Sequence, residues 1–421
     1  MINNKRTQSE IISIGDELLV GQICNTNAAY IAQQLNTIGV AVSRITTVGD
    51  DKKDILLAFE RALAENQIVL VTGGLGSTKD DITKKCIADY FQKELVHHKG
   101  TEQRIEQSFR MRGTAIPKNM HEQSIQPQGC EIIENTVGIA PGIWAEEKGK
   151  VLIAMPGVPQ EMQAITSVVL PRLQKLFGTQ SIIHQHIQLC GIGESVLSEL
   201  LSEVEDRLPP HIKLAYLPKF GYMGLRLSAY GNDEQTLKNE IGLYTRKIAE
   251  IAKEYVFSLE NKTLPEVVAE ELIRQKKTVA VAESCTGGYI AQQITSIAGS
   301  SAYFKGGVVA YSNEIKQQVL QVKATTLENQ GAVSQQTVVE MATNLLKLFD
   351  VDYAIAVSGI AGPSGGTAEK PVGTVWMSVA SKEKGVNSIC FTFGNGNRNL
   401  IIQRAGTAAL NMLLKTIHCT K

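Results

Sequence analysis

The chain has no excess of charge of either sign: its 421 residues carry 42 Lys plus Arg against 42 Asp plus Glu. A surface dominated by attraction to nucleic acid or to an anionic membrane is therefore not expected. It has no CxxC pair either. Its seven cysteines, at 24, 86, 130, 190, 285, 390 and 419, are odd in number and scattered, which reads as reduced thiols rather than a disulfide or zinc framework. No uninterrupted apolar run approaches the ~20 residues of a membrane span, and Met1 to Arg6 carries no apolar signal core. A cytoplasmic protein without a membrane partner is expected. The last absence is chemical: no histidine lies between Ser284 and Ile417. A serine nucleophile at 284 must then find a base other than the imidazole of a Ser-His-Asp triad supplied by this stretch.

At this length two or three domains are expected, and three blocks separate. The first, 1–178, alternates short apolar runs (Ile11 to Ile14, Ile68 to Val71) with helical spacing (Ala28 to Ile38, Asp54 to Ala64). Such βαβ alternation implies a mostly parallel sheet between helices, with ligands bound beyond the carboxyl ends of the strands. The second, 179–260, reads as a small α+β module with helices over Glu194 to Leu208 and Glu234 to Glu254. Its His184 and His186 share one strand face and lack a third metal ligand nearby, so a spacer or oligomerisation role is the default. The third, 261–421, returns to α/β alternation.

In the first block, Gly73-Gly74-Leu75-Gly76-Ser77-Thr78-Lys79-Asp80-Asp81 follows a buried-type strand and precedes a helix. Glycines let a backbone approach a phosphate, and Asp80 and Asp81, with Asp16 at the end of the first strand, supply carboxylates for a divalent metal. A tight turn with a capped helix would need the same residues. The loop lacks the Gly-Lys-Ser/Thr ending of a Walker A motif. A second turn, Met155 to Met162, also joins a strand to a helix.

In the third block, Ala282-Glu283-Ser284-Cys285-Thr286-Gly287-Gly288 joins a strand to a helix, placing a hydroxyl and a thiol where helix N-H groups favour anions. Tyr311-Ser312-Asn313-Glu314-Ile315-Lys316 opens a helix. A lysine in that first turn is a general-base candidate if buried and an ordinary surface residue if not. The loop Ser358 to Gly366 contains four glycines, able to wrap a phosphate or present an oxyanion hole. Arg398, before the last helical pattern, is a candidate phosphate clamp or a plain surface arginine.

Together these motifs resemble the CinA family. AESCTGG (282–288), YSNEIK (311–316), SGIAGPSGG (358–366) and KPVGTVW (370–376) resemble its nicotinamide-nucleotide amidohydrolase domain. GDELLVGQ (15–22), TVGDD (47–51), GGLGSTKDD (73–81) and PGVPQEM (156–162) resemble its molybdopterin-binding-like domain. The resemblance implies a three-layer α/β/α N-terminal domain, a small KH-like α+β module and a C-terminal α/β amidohydrolase domain. It also implies a homodimer acting on nicotinamide mononucleotide and ADP-ribose, as a bifunctional pyridine-nucleotide salvage hydrolase. Ser284 would be the nucleophile, Lys316 the base and Tyr311 its hydroxyl partner. Thr286, Gly287, Gly288, Asn313, Gly359, Gly362, Gly365 and Arg398 would surround the nucleotide, without a cofactor. In the N-terminal domain Gly73, Gly74, Gly76, Ser77 and Thr78 would bind phosphates, and Asp16, Asp80 and Asp81 a divalent metal. Ser77 stands where relatives usually have proline, and Asn397 where an aspartate usually precedes Arg398. The alternative reading is a nucleotide- or pterin-binding regulatory protein with a non-catalytic N-terminal domain.

Overall fold

The computed structural model describes residues 7–177, 181–219, 221–394 and 396–418. They form two compact units: Met1–Ile183 with Tyr230–Leu237, and His184–Ala229 with Lys238–Lys421.

In the first unit, β1 (Gln8–Ile14), β2 (Ala41–Val48) and β3 (Ile68–Thr72) precede a separate antiparallel ribbon of β4 (Leu95–His97) and β5 (Ile125–Pro127). With β6 (Glu131–Ile133), β7 (Gly142–Glu147) and β8 (Lys150–Met155), the first three form a sheet in the order β2-β1-β3-β8-β7-β6. The four strands β2, β1, β3 and β8 are parallel, and the last two pair antiparallel. Alternation within strands builds two cores. Ile11, Leu70 and Ile153 pack with Ile31 and Val169 of the helices Thr26–Thr37 and Pro159–Phe177. Ile12, Val71 and Leu152 pack on the opposite face with Phe59 and Ile87 of the helices Lys52–Glu65 and Thr83–Tyr90. This is the three-layer arrangement expected. The ends of β1 and β3 lie so close that a Cβ on Gly73, at φ +111°, would come within 2.1 Å of the Ile14 carbonyl oxygen. Only glycine fits there.

The middle module is a four-stranded sheet of β9 (Ser181–Cys190), β10 (Ile212–Lys219), β11 (Tyr222–Gly231) and β12 (Val256–Ser258), ordered β10-β11-β9-β12, with helices Glu194–Asp206 and Glu234–Ile251. Three residues are too few for β12 to show a period in the sequence. His184 and His186 do share a face, but His184 bonds Ser228 Oγ at 2.8 Å. Burial, and then the Arg226 guanidinium, lower the pKa of both imidazoles. A cation already beside them disfavours a metal there.

The C-terminal sheet is ordered β14-β13-β15-β16-β17, from β13 (Val279–Glu283), β14 (Phe304–Val309), β15 (Tyr353–Gly359), β16 (Thr374–Ser381) and β17 (Gly385–Thr392). β14, β13 and β15 run parallel; β16 and β17 complete the sheet antiparallel. Val279, Val281 and Ile355 pack against the helices Leu264–Gln275, Tyr289–Thr295 and Arg398–His418. Ala280, Ala282 and Ala354 face the helix Gln335–Leu348. Because three strands run the same way, their carboxyl ends deliver residues 284–288, 310–316 and 360–373 to one edge.

Candidate functional site

Ser284 follows the last residue of β13, and its N-H donates to the Val357 carbonyl of β15 at 2.9 Å. The strand end is thereby fixed from below. Farther along the chain, Ser312 caps the helix Asn313–Gln318 by accepting from the Ile315 N-H. That cap turns Lys316 inward, where it is 1% exposed. Its Nζ lies 3.0 Å from Ser284 Oγ and 2.7 Å from the Ala310 carbonyl oxygen. Burial holds the lysine below its usual pKa, and no carboxylate is its partner there. A lysine so placed can accept a proton from the serine it touches. The adjacent Cys285 is buried, and desolvation pushes its thiol up to about 12, which keeps it protonated and poorly nucleophilic.

Two expectations need correction. The Tyr311 hydroxyl does not partner Lys316. The lysine touches the Tyr311 backbone carbonyl at 3.4 Å, while the ring, 60% exposed, points to the rim and its hydroxyl accepts from Arg398 Nη2 at 2.8 Å. A lysine reaching back under its own helix start meets carbonyl oxygens first. Nor are the N-H groups of Gly287 and Gly288 free for a ligand. Gly287 N-H donates to Ser284 O, and Gly288, Ile290 and Ala291 N-H groups donate to the buried carboxylate of Glu283 at 3.0, 3.1 and 2.8 Å. The anion expected at this helix end is a residue of the chain itself.

The remaining candidates surround Ser284 unequally. Thr286 is buried, and its Oγ1 finds no partner among the described residues. A buried polar group left so is uncommon and suits a ligand. Cys285 and Thr286 N-H groups donate to no backbone acceptor among the described residues. Gly359 ends β15, and Gly362 accepts from Arg398 Nη1 at 2.7 Å. Gly365, at φ +91°, and Asn313 are exposed. Arg398 is the first residue of its helix. Asn397 caps that helix by accepting from Asn399 N-H at 2.8 Å, so Gly362 and Tyr311, not residue 397, aim the guanidinium.

The N-terminal unit has its own cleft, of about 540 Å³, at the carboxyl ends of β1 and β3. Gly73, Gly74, Gly76 and Ser77 line it. Asp81 organises this loop, accepting from the N-H groups of Gly76 and Thr78 at 2.8 Å each and from the Thr78 hydroxyl. Asp16 is turned away. Its carboxylate accepts from Asp50 N-H at 3.3 Å, while its own N-H donates to Asp50 Oδ2 at 3.1 Å. Asp50, delivered by the end of β2, lines the cleft with Glu17, Asp80, Asp81 and Glu161. Burial, and then repulsion from Asp16, Glu17 and Asp80, raise its pKa. The expected trio of Asp16, Asp80 and Asp81 is not gathered, and no three metal-ligating side chains converge among the described residues. The cleft's carboxylates are nevertheless hard oxygen donors, and its described lining holds no Lys, Arg or His. Such a cleft suits a hard divalent cation that keeps one or two protein carboxylates and takes its other ligands from a bound diphosphate.

Glu283, Asp50 and Asn27 are the residues that motif reading passed over. Glu283 signalled itself as a carboxylate ending an apolar strand. Asp50 sat inside a quoted motif without a role. Asn27 lines the cleft, with its amide nitrogen on Thr72 Oγ1 and Gly157 O and its buried Oδ1 without a partner, which no local pattern could announce.

Comparison with known proteins gives three family matches in chain order: a probable molybdopterin binding domain over 10–175, the KH domain of damage-inducible protein CinA over 184–258, and the CinA C-terminal domain over 261–417. A CinA-like protein of Cytophaga hutchinsonii is 43% identical over 415 residues, 98% of this chain and 99% of that one. A putative competence-damage inducible protein of Caldicellulosiruptor saccharolyticus is 42% identical over 411 residues, 97% and 99% of the two chains. The crystal structure of the competence/damage inducible protein CihA from Agrobacterium tumefaciens is 40% identical. It covers 38% of this chain and 98% of its own, with a TM-score of 0.35. Among the described residues no helix is long and apolar enough to cross a membrane.

Proposed function

Since this chain belongs to the CinA family, we propose that its C-terminal domain hydrolyses the carboxamide of nicotinamide mononucleotide to nicotinate mononucleotide and ammonia. The observation that carries this reading is the buried contact of 3.0 Å between Lys316 Nζ and Ser284 Oγ, with no imidazole in the domain's active edge.

The chemistry follows from the geometry. Neutral Lys316 accepts the Ser284 proton as Oγ bonds to the carboxamide carbon. The developing oxyanion is met by the N-H groups of Cys285 and Thr286, which find no backbone acceptor among the described residues. Lys316, now an ammonium, returns the proton to the departing nitrogen and ammonia leaves. Water then attacks the acyl-serine ester as the same lysine takes its proton, and the lysine returns that proton to Ser284 Oγ as the ester bond breaks and nicotinate mononucleotide leaves. Arg398, aimed by Gly362 and Tyr311, has N-H groups left for the substrate phosphate. Thr286 Oγ1 is a further polar contact for the ligand. The test is ammonia release from nicotinamide mononucleotide by the purified chain and by Ser284→Ala. Release by the wild type that vanishes in the variant supports the reading, and undiminished release by the variant overturns it.

For the N-terminal domain we propose hydrolysis of ADP-ribose with a divalent metal, the bond broken being that of the diphosphate. The acid-lined cleft beside a glycine loop, with no cation among its described lining residues, supports it, because a diphosphate entering there needs counter-charge those side chains do not provide. Asp50 and Asp80 are the carboxylates this reading assigns to the metal, which would neutralise the diphosphate and activate water. A second reading is favoured by the absence of a preformed three-carboxylate cage among the described residues: the domain binds a nucleotide or pterin without turning it over. Turnover of ADP-ribose with and without added metal separates the two.

A further inference from the structure

We infer that Glu283 is a positioning residue for the deamidase, a clamp that holds the Ser284 turn closed. This rests on the serine-lysine reading of the site. Glu283 is the last residue of β13, paired with Val309 and Val357 on its two neighbouring strands. Its backbone is therefore fixed by the sheet. Its side chain, 1% exposed, reaches forward over the turn to the far side. There Oε2 accepts from Gly288 and Ile290 N-H groups at 3.0 and 3.1 Å, and Oε1 from Ala291 N-H at 2.8 Å.

The bonds matter because of what they span. Between strand and helix lie Ser284, Cys285, Thr286 and two glycines at φ +61° and +101°. Glycines at positive φ make the turn possible and also leave it many other conformations. Glu283 closes it: strand below, helix beyond, and one carboxylate bonded across the gap. With the helix start pinned, Ser284 Oγ stays within 3.0 Å of Lys316 Nζ, and the N-H groups of Cys285 and Thr286 keep one orientation. Charge-assisted bonds to a buried carboxylate are the strong kind. The same clamp fills the positive end of the helix Tyr289–Thr295 with an internal anion, so the substrate phosphate is left to Arg398.

Glu283→Gln tests this. The amide is nearly isosteric, keeps an acceptor for Gly288 and Ile290, and turns an N-H donor toward the Ala291 N-H. The expected result is a folded protein with a cooperative thermal transition, kcat for ammonia release down about 10²-fold and KM within about threefold, as misplacement of a reacting group predicts. Glu283→Asp, which keeps the charge but falls short by one methylene, should show the same split. Labelling of Ser284 by a fluorophosphonate should slow in parallel, a readout that does not depend on the substrate. Wild-type kcat and labelling in either folded variant overturn the inference, as does a Glu283→Gln chain that fails to fold, since Glu283 would then hold the whole domain rather than the turn. A wild type that labels at Ser284 but releases no ammonia would count against the proposed substrate alone; the labelling comparison would still judge Glu283.

Discussion

Lys316 Nζ and Ser284 Oγ meet at 3.0 Å, and Ala310 and Tyr311 contribute only carbonyl oxygens to the lysine. With no carboxylate bonded to the lysine among the described residues, desolvation outweighs the opposing effect of Cys285 and its pKa falls. A lysine so lowered is suited to accept a proton.

The first prediction separates hydroxyl from thiol. Ser284→Ala should lower kcat for ammonia release by about 10³-fold or more, the scale seen when a nucleophile is removed. Cys285→Ala should keep most of it, because a thiol held near 12 by burial supplies almost no thiolate at neutral pH. Ammonia release measured in both variants decides; the opposite pattern would make Cys285 the nucleophile.

The second concerns pH. Deamidase activity requires neutral Lys316, so kcat/KM should rise with pH through the lowered pKa of that lysine, at a pH below its ordinary 10.5. Stability carries the matching sign. A lysine whose folded pKa is depressed is protonated more readily in the unfolded chain. Above 10.5 it contributes nothing; as pH falls from 10.5 to the folded pKa it increasingly favours unfolding, and below that the loss is constant. Lys316→Met should therefore abolish deamidation while leaving Tm at pH 7 equal to or above the wild type. A lowered Tm there would mean that the amine stabilises the fold.

The third concerns substrate anchoring. Arg398→Ala should raise KM for nicotinamide mononucleotide by about 10- to 100-fold, the range of a lost charge-assisted contact, and disturb kcat less. Tyr311→Phe removes the hydroxyl that receives Arg398 and should likewise act on KM. A large kcat loss with unchanged KM in Tyr311→Phe would return the hydroxyl to the proton-transfer step.

The fourth concerns the N-terminal cleft. Asp50→Asn should reduce ADP-ribose turnover more than Asp16→Asn, since Asp50 lines the cleft and Asp16 faces the backbone beside it. Full turnover after exhaustive chelation would sink the metal-dependent proposal.

What the sequence determined by itself was everything encoded locally. Apolar alternation and helical spacing specified the parallel sheets of the two larger domains, because burial on both faces leaves an unmistakable pattern in strands such as Ile68–Thr72 and Val279–Glu283. Motif order indicated the family, and the missing histidine narrowed the base before any coordinates. The inward turn of Lys316 was not legible. A lysine in a first helical turn reads the same buried or solvated, and only packing of the strand ends buries this one. The partners of Tyr311, Asp16 and Glu283 were equally hidden, for each lies across a turn or on another element of the fold, and spacing along a chain carries no information about which way a side chain swings. Sequence determined which groups reach the active edge; tertiary structure decided which of them touch, because contact depends on strand register, caps and the glycine turns that set the direction of each loop.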